Sequence, residues 1–85
     1  MASMSFFSGR RQLVRDRVRT QSRIKAELRF NGIHLEEPRG RWTHLYFETL
    51  RNIKFENRWM QESFNRLLEL YEFLSAQIDN QAKLL

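Results

Sequence analysis

The stretch MQESFNRLLELYEFLSAQIDNQAKLL, residues 60–85, decides the fold. Met60, Phe64, Leu67, Tyr71, Leu74, Ile78, Gln81 and Leu85 alternate spacings of four and three without a miss. That is the seam of an amphipathic helix at heptad spacing, with one polar member. Trp59, Leu68, Leu70 and Phe73 flank the seam. They widen its apolar arc to roughly 200°, whereas burying one face takes roughly 100°. The spacing therefore predicts a helix over about 57–84 that touches two neighbours: a first helix, and either another helix of the chain, a second copy or a missing domain.

The first neighbour is written in RRQLVRDRVRTQSRIKAELRFNG, residues 10–32. A helix over about 9–31 is predicted, capped by Ser8 and ended by Gly32, which supplies the left-handed residue helix C-termini favour. On a wheel at about 100° per residue, Leu13, Val14, Val18, Ile24 and Leu28 share a face with Gln21 and the stems of Arg17 and Lys25. Arg11, Arg15, Arg19 and Arg23 recur every four residues and wind over the other face. Between the long helices, GIHLEEPRGR reads as a loop. A short helix over about 43–53 follows, with Thr43 as its cap and Trp42 and Phe47 as a hydrophobic staple. Leu45, Tyr46, Leu50 and Ile53 are its expected buried face. No strand pattern, internal repeat or low-complexity run competes. The expected fold class is all-α: a long antiparallel helical hairpin, or coiled coil, with a short intervening helix, dimerising into a bundle.

The chain has 85 residues and no cysteine, so thiol chemistry and disulfides are excluded. A chain this short buries a small core and leans on packing partners. Its formal net charge of +5 is uneven. Residues 9–31 carry +6, residues 32–55 carry +1 and residues 56–85 carry −2. The asymmetry points to a polyanionic partner, or to pairing between the basic and acidic helices. No apolar run is long enough to span a membrane. Residues 1–8 read as a disordered leader or expression remnant. The arginine, serine and lack of acid in the first fifteen residues also fit a mitochondrial presequence, but the helical pattern runs on past Asp16 and Glu27 without a break.

Catalytic and metal signals are weak. His34 and His44 stand ten residues apart without helical pairing, and they read as structural or solvent-exposed histidines rather than a zinc pair. Glu36 and Glu37 read as a solvated charge cluster. No cofactor motif and no phosphate-binding glycine loop occurs. The arginine stripe carries more. Guanidinium groups at i, i+4, i+8 and i+12 can follow a phosphate backbone, and arginine supplies seven of the eight basic residues of this helix. The competing reading is a solvated face, or salt bridges to Glu62, Glu69 and Glu72 of the last helix. Residues alone leave these even.

Three segments, in order, resemble the region that follows the RuvC-like domain in the DEDD insertion-sequence transposases, the bridge-RNA-guided recombinases. Arg11, Leu13, Val14 and Arg17, then Arg23, Ile24, Leu28, Gly32 and Ile33, are similar to that family's arginine-rich run and its closing "G-I"; Ser22 departs from the usual asparagine. RWTHLYFETLRNIKFEN resembles its tryptophan and short helix, and LLELYEFLSAQIDN its coiled coil. The resemblance covers about residues 10–83. It implies an oligomerising, nucleic-acid-binding coiled-coil segment without its catalytic domains, because the family's acidic metal ligands lie upstream and its nucleophilic serine downstream. On this reading the chain is not itself an enzyme and takes no cofactor. It works in a bacterial or archaeal cytoplasm with guide RNA or DNA, a second copy and the parent's missing catalytic domains as partners. Arg11, Arg15, Arg19 and Arg23 would contact phosphates. Met60, Phe64, Leu67, Tyr71, Leu74 and Ile78 would form core and oligomer seam. The alternative is a small basic structural subunit of a large assembly such as a mitochondrial ribosome or respiratory complex.

Overall fold

A computed structural model describes the backbone of residues 2–84 and the side chains of residues 9–81. Three helices follow one another: α1 over Ala2–Phe30, α2 over His44–Arg51 and α3 over Arg58–Leu84. The described residues contain no strand. Helices α1 and α3 pack along each other as an all-α hairpin, and α2 leans on α3. The Cα trace measures 47 × 25 × 15 Å. A 29-residue helix is about 43 Å long, so α1 sets the long axis. The short axis leaves one broad face of the hairpin without a covering helix.

Local chemistry sets most element ends where the sequence places them. Gly32, at φ 70°, closes α1. The Ile33 amide donates to the Leu28 carbonyl at 2.8 Å and the Gly32 amide to Arg29 at 3.0 Å, the paired bonds of a Schellman motif. Ile33 then packs against the core beside Leu28. Thr43 caps α2, its hydroxyl accepting from the Tyr46 amide at 3.1 Å. Asn57 caps α3, its Oδ1 accepting from the Trp59 amide at 2.8 Å. The start of α1 differs from the expectation. The helix already runs from Ala2, so positions 8 and 9 lie within it rather than at its start.

The core gathers Ile24 and Leu28 of α1, Trp42, Tyr46, Phe47 and Leu50 around α2, and Phe64, Leu68 and Tyr71 of α3. Leu74 and Ile78 are buried further along α3. The α3 seam thus forms as spaced, with Met60, Leu67 and Gln81 half-buried at its edge. Leu85 lies outside the described residues. Leu68, placed by the sequence beside the seam, is deeper than Leu67 because α2 approaches from its side.

Two predicted faces shift. On α1, Val14 is partly exposed and Val18 is 53 % exposed, while Thr20 is buried. Ile24, fully buried, centres the contact; Thr20 lies about 40° from it and Val18 about 120° away. Thr20 tolerates burial because its hydroxyl donates to the Asp16 carbonyl at 2.7 Å. On α2, Leu45 faces solvent and Phe47 takes its place inside. The helix must reach Tyr71 of α3 and the Leu28 end of α1 together, and the arc Tyr46–Phe47–Leu50 does so. Gln61 fastens the α2–α3 turn: its Oε1 accepts from the Phe55 amide at 2.8 Å and its Nε2 donates to the Ile53 carbonyl at 3.3 Å.

Gly32 has open space around its Cα, so a side chain there meets only the backbone penalty of the left-handed region. Gly32→Ala is expected to lower unfolding free energy by about 1–2 kcal/mol, with Gly32→Asn losing less. Urea titration followed by helical circular dichroism measures both.

Candidate nucleic-acid interface

The four arginines of the stripe, Arg11, Arg15, Arg19 and Arg23, are all solvent-exposed on α1. Steps of four residues advance about 6 Å along the axis and drift about 40° around it, giving a shallow spiral of guanidinium groups. None of the four forms an ion pair among the described residues. The α3 acids weighed as their partners are otherwise occupied in two of three cases. Glu62 pairs with Arg58 at 3.6 Å, and Glu72 binds Arg51. Glu69 is exposed and meets no cation within salt-bridge distance among the described residues. Asp79 pairs with Arg41 at 3.2 Å. Asp16, inside the spiral, accepts from Gln12 Nε2 at 2.9 Å. The stripe thus remains an open cationic edge. Arg17 does not belong to it. Its stem lies toward the core face, and its Nη1 is out of water with no hydrogen-bond partner among the described residues.

The strut that bears the stripe is held by a polar latch the sequence did not disclose. Glu37, expected in a solvated cluster, instead reaches Lys25 of α1 at 3.4 Å through Oε2. Its Oε1 accepts from Trp42 Nε1 at 3.2 Å. One loop carboxylate thereby ties α1 to the residue preceding α2. Burial raises the Tyr46 phenol above its usual pKa, and the Glu37 carboxylate adds to the rise.

The staple forms through an intermediary. Trp42 and Phe47 are both buried, and both meet Tyr71, at ring-centroid distances of 5.0 and 5.6 Å. Trp42 also contacts Tyr46 at 5.2 Å. Arg51, bound to Glu72, lies 5.2 Å over the Phe47 ring. Of the residues expected to form core and oligomer seam, Phe64, Tyr71, Leu74 and Ile78 are buried within the one chain, and Met60 and Leu67 keep partial exposure.

The histidines do not converge. His34 is exposed beside Leu35, and His44 sits 3.7 Å from Glu48 on the surface of α2. No group of three metal-ligating side chains occurs among the described residues. No helix of the described residues is long and apolar enough to cross a membrane. Comparison with family models, curated proteins and solved structures finds no match to this chain.

The raised Tyr46 phenol yields a signed pH effect. A raised folded-state pKa means the fold holds this proton more tightly than the unfolded chain does. The contribution is complete below the ordinary tyrosine pKa of about 10 and is lost as pH climbs through the folded value. Stability of the parent should therefore fall more steeply above about pH 10 than that of Tyr46→Phe. Denaturation midpoints of the two proteins across that range measure the difference.

Proposed function

We propose that the chain is a nucleic-acid-binding helical module of an insertion-sequence transposase, in which α1 presents Arg11, Arg15, Arg19 and Arg23 to successive phosphates. The observation that carries the phosphate reading is the open state of that stripe. Four exposed guanidinium groups stand at regular spacing, unpaired among the described residues, while Arg41, Arg51 and Arg58 engage acids of α3. Intramolecular pairing was the competing account of the stripe, and the geometry favours the outward one. The transposase parentage rests on the ordered succession of the three sequence segments. Guide RNA or DNA is the proposed partner class, in a bacterial or archaeal cytoplasm.

The proposal asks nothing catalytic of these residues. It assigns α1 the role of a rigid strut, with α3 as its apolar support and the Glu37 latch fixing its loop end. Phe64, Tyr71, Leu74 and Ile78 form that support within the chain's own core, and a second copy remains part of the proposed assembly.

Duplex RNA or DNA should bind with an affinity that falls steeply with salt. With four phosphates neutralised, log affinity against log salt should slope at roughly −3.6 on B-form DNA. Replacing one stripe arginine with glutamine should lessen the slope by about one unit. Fluorescence anisotropy across a salt series reads both. Absence of binding at low salt, or a slope untouched by the fourfold variant, sinks the phosphate claim.

A further inference from the structure

The hairpin face away from α2 carries three large apolar side chains that the chain leaves open, interspersed with polar ones. On α3, Trp59, Leu70 and Phe73 are 80 %, 45 % and 58 % exposed. They belong to a second row at spacings of four and three, offset from the core seam: Trp59, Ser63, Arg66, Leu70, Phe73 and Gln77. From Trp59 to Phe73 this row runs about 21 Å, close to four helical turns. Beside it, between α3 and α1, lies an open cavity of about 250 Å³. Leu67, Leu70, Leu74 and Thr20 line it on the apolar side, and Arg19, Arg23 and Asp16 form its polar rim.

We propose that this groove docks an acidic amphipathic helix of another polypeptide, about four turns long. Its apolar residues would cover Leu67, Leu70 and Phe73, and its carboxylates would meet Arg19 and Arg23. An apolar groove takes the apolar face of an amphipathic helix, and the mainly cationic rim selects the charge of its flanks. Arg19, Arg23 and Arg66 are exposed and lack an ion pair among the described residues. Asp16 is the single acid lining the cavity, where it already accepts from Gln12, and with the exposed Glu69 of α3 it is outnumbered by the three arginines. The complementary occupant is therefore negative.

Two other occupants fit less well. A phosphate backbone gains nothing from the leucine floor, and Arg11 and Arg15 lie beyond the groove rim. A second copy meeting this face about a two-fold axis at the centre of the row would set Arg66 against its own counterpart, and like charges across an interface are unfavourable. The inference is independent of the transposase reading, and it uses the inner end of the arginine stripe together with α3.

The test uses the full chain and a fluorescein-labelled synthetic helix of about 15 residues, four turns, with Leu and Phe at i, i+4, i+7 and i+11 flanked by glutamates. A lysine-flanked analogue and a scrambled peptide serve as controls. Saturable anisotropy is expected for the acidic probe alone. The neutral change Leu70→Ser should weaken it at least about tenfold while leaving nucleic-acid affinity unchanged, since it adds no charge beside Arg19 and Arg23. The double variant Arg19→Glu/Arg23→Glu should lose the acidic probe and gain the lysine analogue. Leu70 is already half in water, so circular dichroism should find Leu70→Ser as helical as the parent; Phe73→Ser provides a second, more exposed site. Equal binding of the scrambled or lysine peptide overturns the proposal. So does a parent dimer that Leu70→Ser converts to monomer without any probe binding, or loss of nucleic-acid affinity in that variant.

Discussion

Tyr71 is where the molecule is tied together. Its ring meets Trp42 from the loop and Phe47 from α2, and it sits in the same buried cluster as Ile24 and Leu28 of α1. Without that meeting point α2 would have no hold on the hairpin, since an eight-residue helix is far too short to persist by itself. Burying aromatic rings against each other supplies both area and preferred geometry. The polar contacts around the cluster then choose one arrangement. Glu37 locks the loop, Arg51 bridges to Glu72, and Gln61 closes the turn into α3.

The same constraint explains how the charges are distributed. Arg41 and Arg51 lie on the segment that packs over α3, and they reach its acids directly. Exposed ion pairs of this kind contribute little each, but they leave those acids unavailable to α1. The packing of Ile24 and Leu28 turns Arg15 to the far side of α1 and leaves Arg19 and Arg23 on its flank. Basic surface and apolar surface thus come together along one edge, where Arg19 and Arg23 stand beside Leu67 and Leu70. Polyanion recognition and helix docking would draw on overlapping but distinct parts of that edge.

Much of the fold was legible because it is helical and nearly free of breakers. The four-three spacing of α3, the Thr43 cap with its staple residues and the Gly32 stop are local signals, and each appears where local chemistry puts it. The wheel for α1 was less reliable because its apolar residues are sparse. With so diluted a seam, Val18 and Thr20 could exchange places, and the contact with α3 chose the threonine that satisfies its own hydroxyl. On α2, Leu45 and Phe47 were similarly balanced until two neighbours had to be reached at once. The stripe itself was legible from spacing, but its freedom from intramolecular pairing was not, because that depends on which cation lies nearest each acid.

The sequence by itself determined that the chain is helical, where its helices stop, that α3 needs more than one neighbour and that α1 separates cationic from apolar residues. Those properties follow from periodicity and capping, which act within a few turns. The tertiary structure alone decided that α2 fills one side of α3, that Glu37 is a latch rather than a solvated acid, and that Trp59, Leu70 and Phe73 remain uncovered. These depend on distances between residues far apart in the chain, and only packing sets them.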